Sequence, residues 1–278
     1  MRLGCHLSIA KGFAHAVKTA PSLNANAFQY FTKNPRGFRT AKPLDRVDAE
    51  RGRALMREMN LVAVGHTPYL INLASPDEGL YQASIEALVQ DLLIAEARGS
   101  YGVVVHCGKP KDHGRDFGIE RMQAALQSVL AQSRTEGVKI LIENTAGQGS
   151  EIGTELPELL AIVDPFSVDD VGICLDTQHA FAAGVLSREN PEDFPGFHDT
   201  TFMKRLNAIH LNDSKVEFSS HKDRHALIGQ GYLGLDGIAR LVNDPRLAEI
   251  PFYLETPVES EAQYAEEIAA VRALLDAP

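Results

Sequence analysis

Excess positive charge, paired cysteines and long apolar runs are all missing from this chain, and each absence removes a class of protein. Its 37 Asp and Glu against 27 Lys and Arg leave a formal charge of −10. That balance argues against holding nucleic acid through a general basic coat, although bound cations would reverse it locally. Only three cysteines occur, Cys5, Cys107 and Cys174, each inside an apolar run and none in a CxxC pair. An odd, scattered set of this kind argues against a disulfide framework and for a reducing compartment. No stretch reaches the roughly 18 apolar residues a membrane span needs. The opening MRLGCHLSIAKG lacks a charged leader ahead of an apolar segment, so a cytoplasmic protein with no membrane partner is expected. Pro/Ser-rich linkers and low-complexity tracts are missing too. With 278 residues, 44% of them hydrophobic and 23% charged, the whole of 1–278 is expected to form one globular domain.

What is present is a repeat of short apolar runs of strand length. They lie at Leu3 to Leu7, Ala27 to Phe31, Leu61 to Gly65, Gly102 to Val105, Lys139 to Ile142, Val171 to Leu175, Leu206 to Leu211 and Pro251 to Leu254. Between most of them, apolar positions recur every three or four residues, as in Leu44 to Met59, Leu80 to Arg98, Ile119 to Ser133 and Glu259 to Leu275, the spacing of an amphipathic helix. Eight strands alternating with helices at about 35 residues per unit predict an α/β fold, a (β/α)8 TIM barrel. The runs VVV, ILI and FYL are continuously apolar, as strands buried on both faces are. Ala41 to Pro43 and Ser187 to Thr200 show no clear period and are expected to be elaborated loops with room for a short helix.

The residues that close the runs carry the chemistry. His66, His106, Glu143, Asp176, His210 and Glu255 follow six consecutive runs at separations of 33 to 45 residues. In a barrel the C-terminal strand ends converge on the face where active sites lie, so these six become neighbours around one ring. Any one of them alone reads as a solvated strand end. Six together do not, because Glu143, Asp176 and Glu255 would repel one another unless protons or cations relieved the charge. Mixed imidazole and carboxylate suit Zn²⁺, Mn²⁺ or Fe²⁺ better than Mg²⁺ or Ca²⁺. His179, three residues after Asp176, and the pair Asp223 and His225 extend the set to nine. Nine ligands exceed what one ion takes and imply two or three. Clustered ions suit phosphate ester hydrolysis, since one lowers the pKa of an attacking water while another stabilises the leaving oxygen.

At these residues the chain closely resembles the endonuclease IV family, the zinc-dependent apurinic/apyrimidinic endonucleases of DNA base excision repair. The stretches that carry the resemblance are FTKNPRGF (31–38), HTPYLINLASP (66–76), IENTAGQGSEIG (142–153), GICLDTQHAFAAG (172–184), HLNDSKVEFSSHKDRHALIGQG (210–231) and LET (254–256). The resemblance implies three zinc ions, with manganese in place of one left open. His66, His106 and bridging Glu143 would hold the first. Glu143, Asp176, His210 and Glu255 would hold the second, and His179, Asp223 and His225 the third. It further implies hydrolysis of the phosphodiester 5′ of abasic sites in double-stranded DNA by a monomer, with Glu143, Glu255 and Asp176 catalytic. Arg36, Tyr69 and Leu70 would read the lesion, and Lys33, Arg36, Arg39, Lys215, Lys222 and Arg224 would face DNA beside the ions. Phe38, Pro35, Gln178 and Val185-Leu186 depart from the family's usual residues; none is a ligand. The competing readings are a sugar isomerase or epimerase on a similar barrel and a non-catalytic metal- or DNA-binding protein.

Overall fold

Eight strands, β1 (Leu3–His6), β2 (Ala27–Phe31), β3 (Val62–His66), β4 (Gly102–His106), β5 (Lys139–Glu143), β6 (Val171–Asp176), β7 (Leu206–His210) and β10 (Phe252–Leu254), pair in parallel in the computed structural model. They close into a barrel, with β10 between β7 and β1. The structure describes residues 1–38 and 43–275. Two short strands, β8 (Asp213–Ser214) and β9 (His225–Ala226), pair antiparallel as a hairpin after β7. The predicted (β/α)8 barrel is therefore what the chain forms, and no described helix is long and apolar enough to cross a membrane.

Helices α1 (Phe13–Ser22), α2 (Arg46–Glu58), α3 (Glu78–Arg98), α4 (Arg115–Ser133) and α5 (Leu156–Val163) follow the first five strands. Local chemistry sets their ends. Asp77 caps α3 by accepting the Leu80 N–H at 2.7 Å, and Gly99 stops it in the left-handed conformation at φ 72°, which a side chain would resist. The start of α1 has no cap of its own. The Asp48 carboxylate of α2 supplies one, accepting from Phe13 N and Ala14 N at 2.5 and 3.2 Å. After β6 come α6 (Thr177–Ala182), α7 (Pro195–His198) and α8 (Thr200–Arg205), and after the hairpin α9 (Gly234–Val242) and α10 (Tyr264–Arg272). The stretch 187–200, expected as an elaborated loop, holds a 3₁₀ turn and α7. Residues 41 and 42 of the other expected loop lie outside the described residues.

Successive side chains of a strand point to opposite sides, and here the two sides have different work. Outward residues such as Phe28, Val103, Val105, Ile140, Ile142 and Ile173 are buried under the helices. Inward, Ala27, Val64, Val104, Leu141, Cys174, Ala208 and Tyr253 plug the barrel. Burial pushes the Cys174 thiol up to about 12, so it packs as a small neutral hydrophobe. Two residues further along each of these strands, the next inward positions are Gln29, His66, His106, Glu143, Asp176, His210 and Glu255. The apolar plug thus becomes a floor on which a polar layer stands at the C-terminal mouth.

Candidate metal centre

Five of the six strand-end ligands are the last residue of their strand, and Glu255 follows β10 by one. Glu143 sits at the middle. Its Oε2 lies 3.3 Å from His66 Nε2 and 3.1 Å from His106 Nε2, and its Oε1 lies 2.9 Å from His210 Nδ1. The two oxygens of one buried carboxylate therefore face two different ligand sets. His210 Nδ1 is also 3.2 Å from Glu255 Oε2 and 3.9 Å from Asp176 Oδ2.

A third set lies beside Asp176. The Asp176 side chain caps α6 by accepting the His179 N–H at 2.7 Å, which turns His179 toward the mouth. The β8–β9 pairing aligns Ser214 with His225 and brings the foot of the hairpin alongside. His179 Nε2 and His225 Nε2 each lie 3.4 Å from Asp223 Oδ1, and His225 Nε2 is 3.7 Å from Asp176 Oδ2. Among the described residues, three groups have ligand atoms mutually within 4.8 Å: His66, His106 and Glu143; Glu143, Asp176, His210 and Glu255; and Asp176, His179 and His225. Asp176 thereby joins two groups, a second bridge beside Glu143 that the sequence did not suggest. Asp223 completes the third set from its more exposed edge.

Charge explains why these atoms stay together. Burial opposes ionisation of Glu143, yet the His210 and His106 imidazoles overcome it and hold the carboxyl well below the usual carboxylate range. Against burial, His179 is raised well above an ordinary imidazole by Asp176 and Asp223. Asp223 itself falls to about 2, burial being outweighed by its hydrogen bond and attraction to His179. Carboxylates and imidazoles in this density demand positive charge, as protons or as metal ions.

Hydrogen bonding favours the ions. Backbone carbonyls accept from Nδ1 of three imidazoles: Thr67 O from His66 at 2.7 Å, Asn144 O from His179 at 2.9 Å and Glu255 O from His225 at 3.2 Å. Each ring then turns a lone pair on Nε2 into the cluster, as metal-bound imidazoles do. His225 Nε2 is buried without a hydrogen-bond partner, which suits a lone pair directed at a cation. Asn212 ties two carboxylate strands together, donating to Asp176 Oδ2 at 2.7 Å and accepting from Glu255 N at 2.9 Å. Neither Asn212 nor Gln29 was singled out from the sequence. A polar residue inside the apolar run AFQYF, at the inward position of β2, was the available signal for Gln29.

Around the mouth, Tyr69 is 63% and Leu70 46% exposed, so they are not a core pair. The Tyr69 ring stands 6.1 and 6.2 Å from those of His66 and His106, directly beside the ligands. Its N–H donates to Pro35 O at 3.2 Å, which brings the loop carrying Arg36 to its side. A cavity of about 350 Å³ runs between Tyr69, Leu70, His106, Lys109, Gln148 and Asp223. Lys215, Lys222 and Arg224 lie on the hairpin, and Arg39 lies outside the described residues. Lys33 corrects the expectation of a cation on the rim: it is buried away from the mouth. Its side chain is 1% exposed and pairs at 3.1 Å with the Asp91 carboxylate of α3. The departures at Gln178 and Leu186 are accommodated, the first donating to Lys222 O at 3.0 Å and the second buried in the core.

Comparison with known proteins agrees with the barrel fold. The family model of xylose isomerase-like TIM barrels matches residues 17–274. A probable endonuclease 4 of Symbiobacterium thermophilum is 48% identical over 277 residues, spanning 99% of this chain and 100% of that protein. One of Heliobacterium modesticaldum is 43% identical, spanning 99% of each. The crystal structure of endonuclease IV from Thermus thermophilus superposes with a TM-score of 0.88 at 36% identity, covering 99% of this chain and 98% of that one.

Proposed function

We propose, because this chain belongs to the endonuclease IV family, that it hydrolyses the phosphodiester 5′ of abasic sites in double-stranded DNA. The products would be a 3′-hydroxyl and a 5′-deoxyribose phosphate. The observation that carries this reading is Glu143, whose two oxygens face separate ligand sets at 3.1 to 3.3 Å and 2.9 Å. His66, His106 and Glu143 would hold one zinc ion, Glu143, Asp176, His210 and Glu255 a second, and His179, Asp223 and His225 a third, with manganese an alternative in one position. Ions held there would supply Lewis acidity, lowering the pKa of water and neutralising phosphate charge. The residues themselves do the arranging. Glu143 and Asp176 keep neighbouring sets in register, and the backbone-anchored imidazoles hold their nitrogens aimed without reorganisation during reaction. We read 1–278 as one catalytic unit acting as a cytoplasmic monomer.

Substrate choice follows from the mouth. A nucleotide without a base costs less to extrude from the helix than an intact one. Tyr69 and Leu70 offer a ring and an aliphatic wedge to fill the stack, while Arg36 adds charge beside them. A duplex with one tetrahydrofuran residue tests the reading: it should be nicked once, 5′ of the analogue, leaving an end that a polymerase extends. A chelator should stop the reaction and zinc restore it. Epimerisation of a ketose with the duplex left intact would overturn the proposal; a sugar epimerase would leave Asp223, His225 and the exposed Tyr69 without a task.

The lesion readers should affect binding more than chemistry. Arg36→Ala and Tyr69→Ala are each expected to weaken affinity for abasic duplex by roughly 1 to 3 kcal/mol, the scale of one stacking contact, while single-turnover incision at saturating enzyme changes less. If Arg36 meets a phosphate, its loss also flattens the salt dependence of binding, which Tyr69→Ala leaves alone. Titrating both variants at two salt concentrations separates these effects, and wild-type affinity in either removes that residue from lesion reading.

A further inference from the structure

His210 differs from the other anchored imidazoles in what holds it. Backbone carbonyls fix His66, His179 and His225 through Nδ1 and leave Nε2 for the cluster. His210 is reversed: Nδ1 faces Glu143 and Glu255, and Nε2 lies 2.7 Å from the side-chain oxygen Oε1 of Gln29. A backbone carbonyl is there whatever the side chains are. The His210 anchor is a single side chain from another strand.

The Gln29 amide is itself oriented by the site. Its Nε2 lies 2.5 Å from Glu255 Oε1 and 3.1 Å from His6 Nδ1. Turned the other way, the amide would set its oxygen against the Glu255 carboxylate and its NH₂ against His210, two acceptors meeting on one side. The amide nitrogen therefore donates to Glu255, and the amide oxygen accepts from His210. An accepted Nε2–H leaves the neutral ring's lone pair on Nδ1, the atom aimed at Glu143 and Glu255. Gln29 is fully buried, so water does not replace these bonds.

We propose that Gln29 is a positioning residue that selects the Nδ1 lone pair of His210 for the cluster and holds Glu255 in place, and so sets the affinity of the second metal position. This rests on the reading of Glu143, Asp176, His210 and Glu255 as ligands. Outer partners of metal-bound imidazoles commonly change metal affinity by about 10- to 100-fold. The ligands peculiar to the other two positions make no hydrogen bond with Gln29, so those positions should keep their affinity.

The test is a titration of metal-free protein with zinc against a chelating dye, for wild type and Gln29→Met, which preserves length without the amide. Wild type should show three sites. In Gln29→Met one should weaken about 10- to 100-fold with the other two unchanged, and the lost incision should return as free zinc is raised. A purely structural defect would not be rescued by zinc. Wild-type affinity at all three sites would overturn the proposal, as would equal weakening of all three. Should Gln29→Met not fold, Gln29→Glu keeps the acceptor for His210 but sets an anion against Glu255. One weakened site is again expected, and three unaltered sites again overturn the inference. A wild-type protein that takes up no zinc would instead remove the ligand assignment beneath it, and the inference with it.

Discussion

Glu143→Gln is expected to lower single-turnover incision of abasic duplex by at least about 1000-fold and to release bound zinc, in a protein that still folds. The carboxylate is fully buried and serves His66 and His106 through one oxygen and His210 through the other. An amide of the same shape keeps the packing but loses the charge and offers an NH₂ where a lone pair is required. Losing one preorganised electrostatic group costs about 100- to 1000-fold, and here a single substitution disturbs two ligand sets. The fall should persist at saturating enzyme, where any loss of affinity from the released ions no longer limits the rate. Near-normal incision by a folded Glu143→Gln protein would remove it from the centre.

Lys33→Met is expected to cost about 3 to 5 kcal/mol of folding stability, the scale of stranding one partner of a buried ion pair. Lys33 Nζ donates to Ala87 O at 2.8 Å and lies 3.1 Å from Asp91 Oδ1. Asp91 also accepts from the Thr32 hydroxyl. Burial pushes the Asp91 carboxyl from 3.8 up to about 6 even though Lys33 and Thr32 pull it down. The folded state therefore holds a proton that the unfolded chain has lost between those values, and this group works against folding as pH rises through them. Without Lys33 the carboxyl rises further, so the loss should be smaller near pH 5 than near pH 8. Urea unfolding at the two pH values checks the sign. Lys33→Met combined with Asp91→Leu should recover much of the stability, because an apolar pair of similar volume is often neutral. A loss independent of pH, with no recovery in the double variant, would contradict this account.

Lys33 also marks where sequence reading stops. It lies among basic and polar residues in FTKNPRGF, and nothing local distinguishes a rim cation from one that turns inward toward Asp91 on α3. The barrel, by contrast, was legible because its evidence is periodic: apolar runs at regular spacing, most of them ending in a residue type that is rare in a core. The same regularity places His66, His106, Glu143, Asp176, His210 and Glu255 on one face of the barrel. What the spacing did not carry is pairing between side chains of distant strands. The double use of Asp176, the Asn212 tie to Glu255 and the Gln29 anchor of His210 depend on register and on the inward side of each strand. The start of α1 is likewise set from a distance, by a cap borrowed from Asp48 of α2.

The central claim is a trinuclear centre, and metal analysis of purified, zinc-loaded protein tests it most directly, with wild type measured beside the double variant Asp223→Ala/His225→Ala. Three zinc equivalents per chain are expected in wild type and two in the variant, since the removed pair serves only the third set beside His179. Two equivalents in both proteins would contradict the claim, leaving a binuclear ring and a solvated Asp-x-His loop.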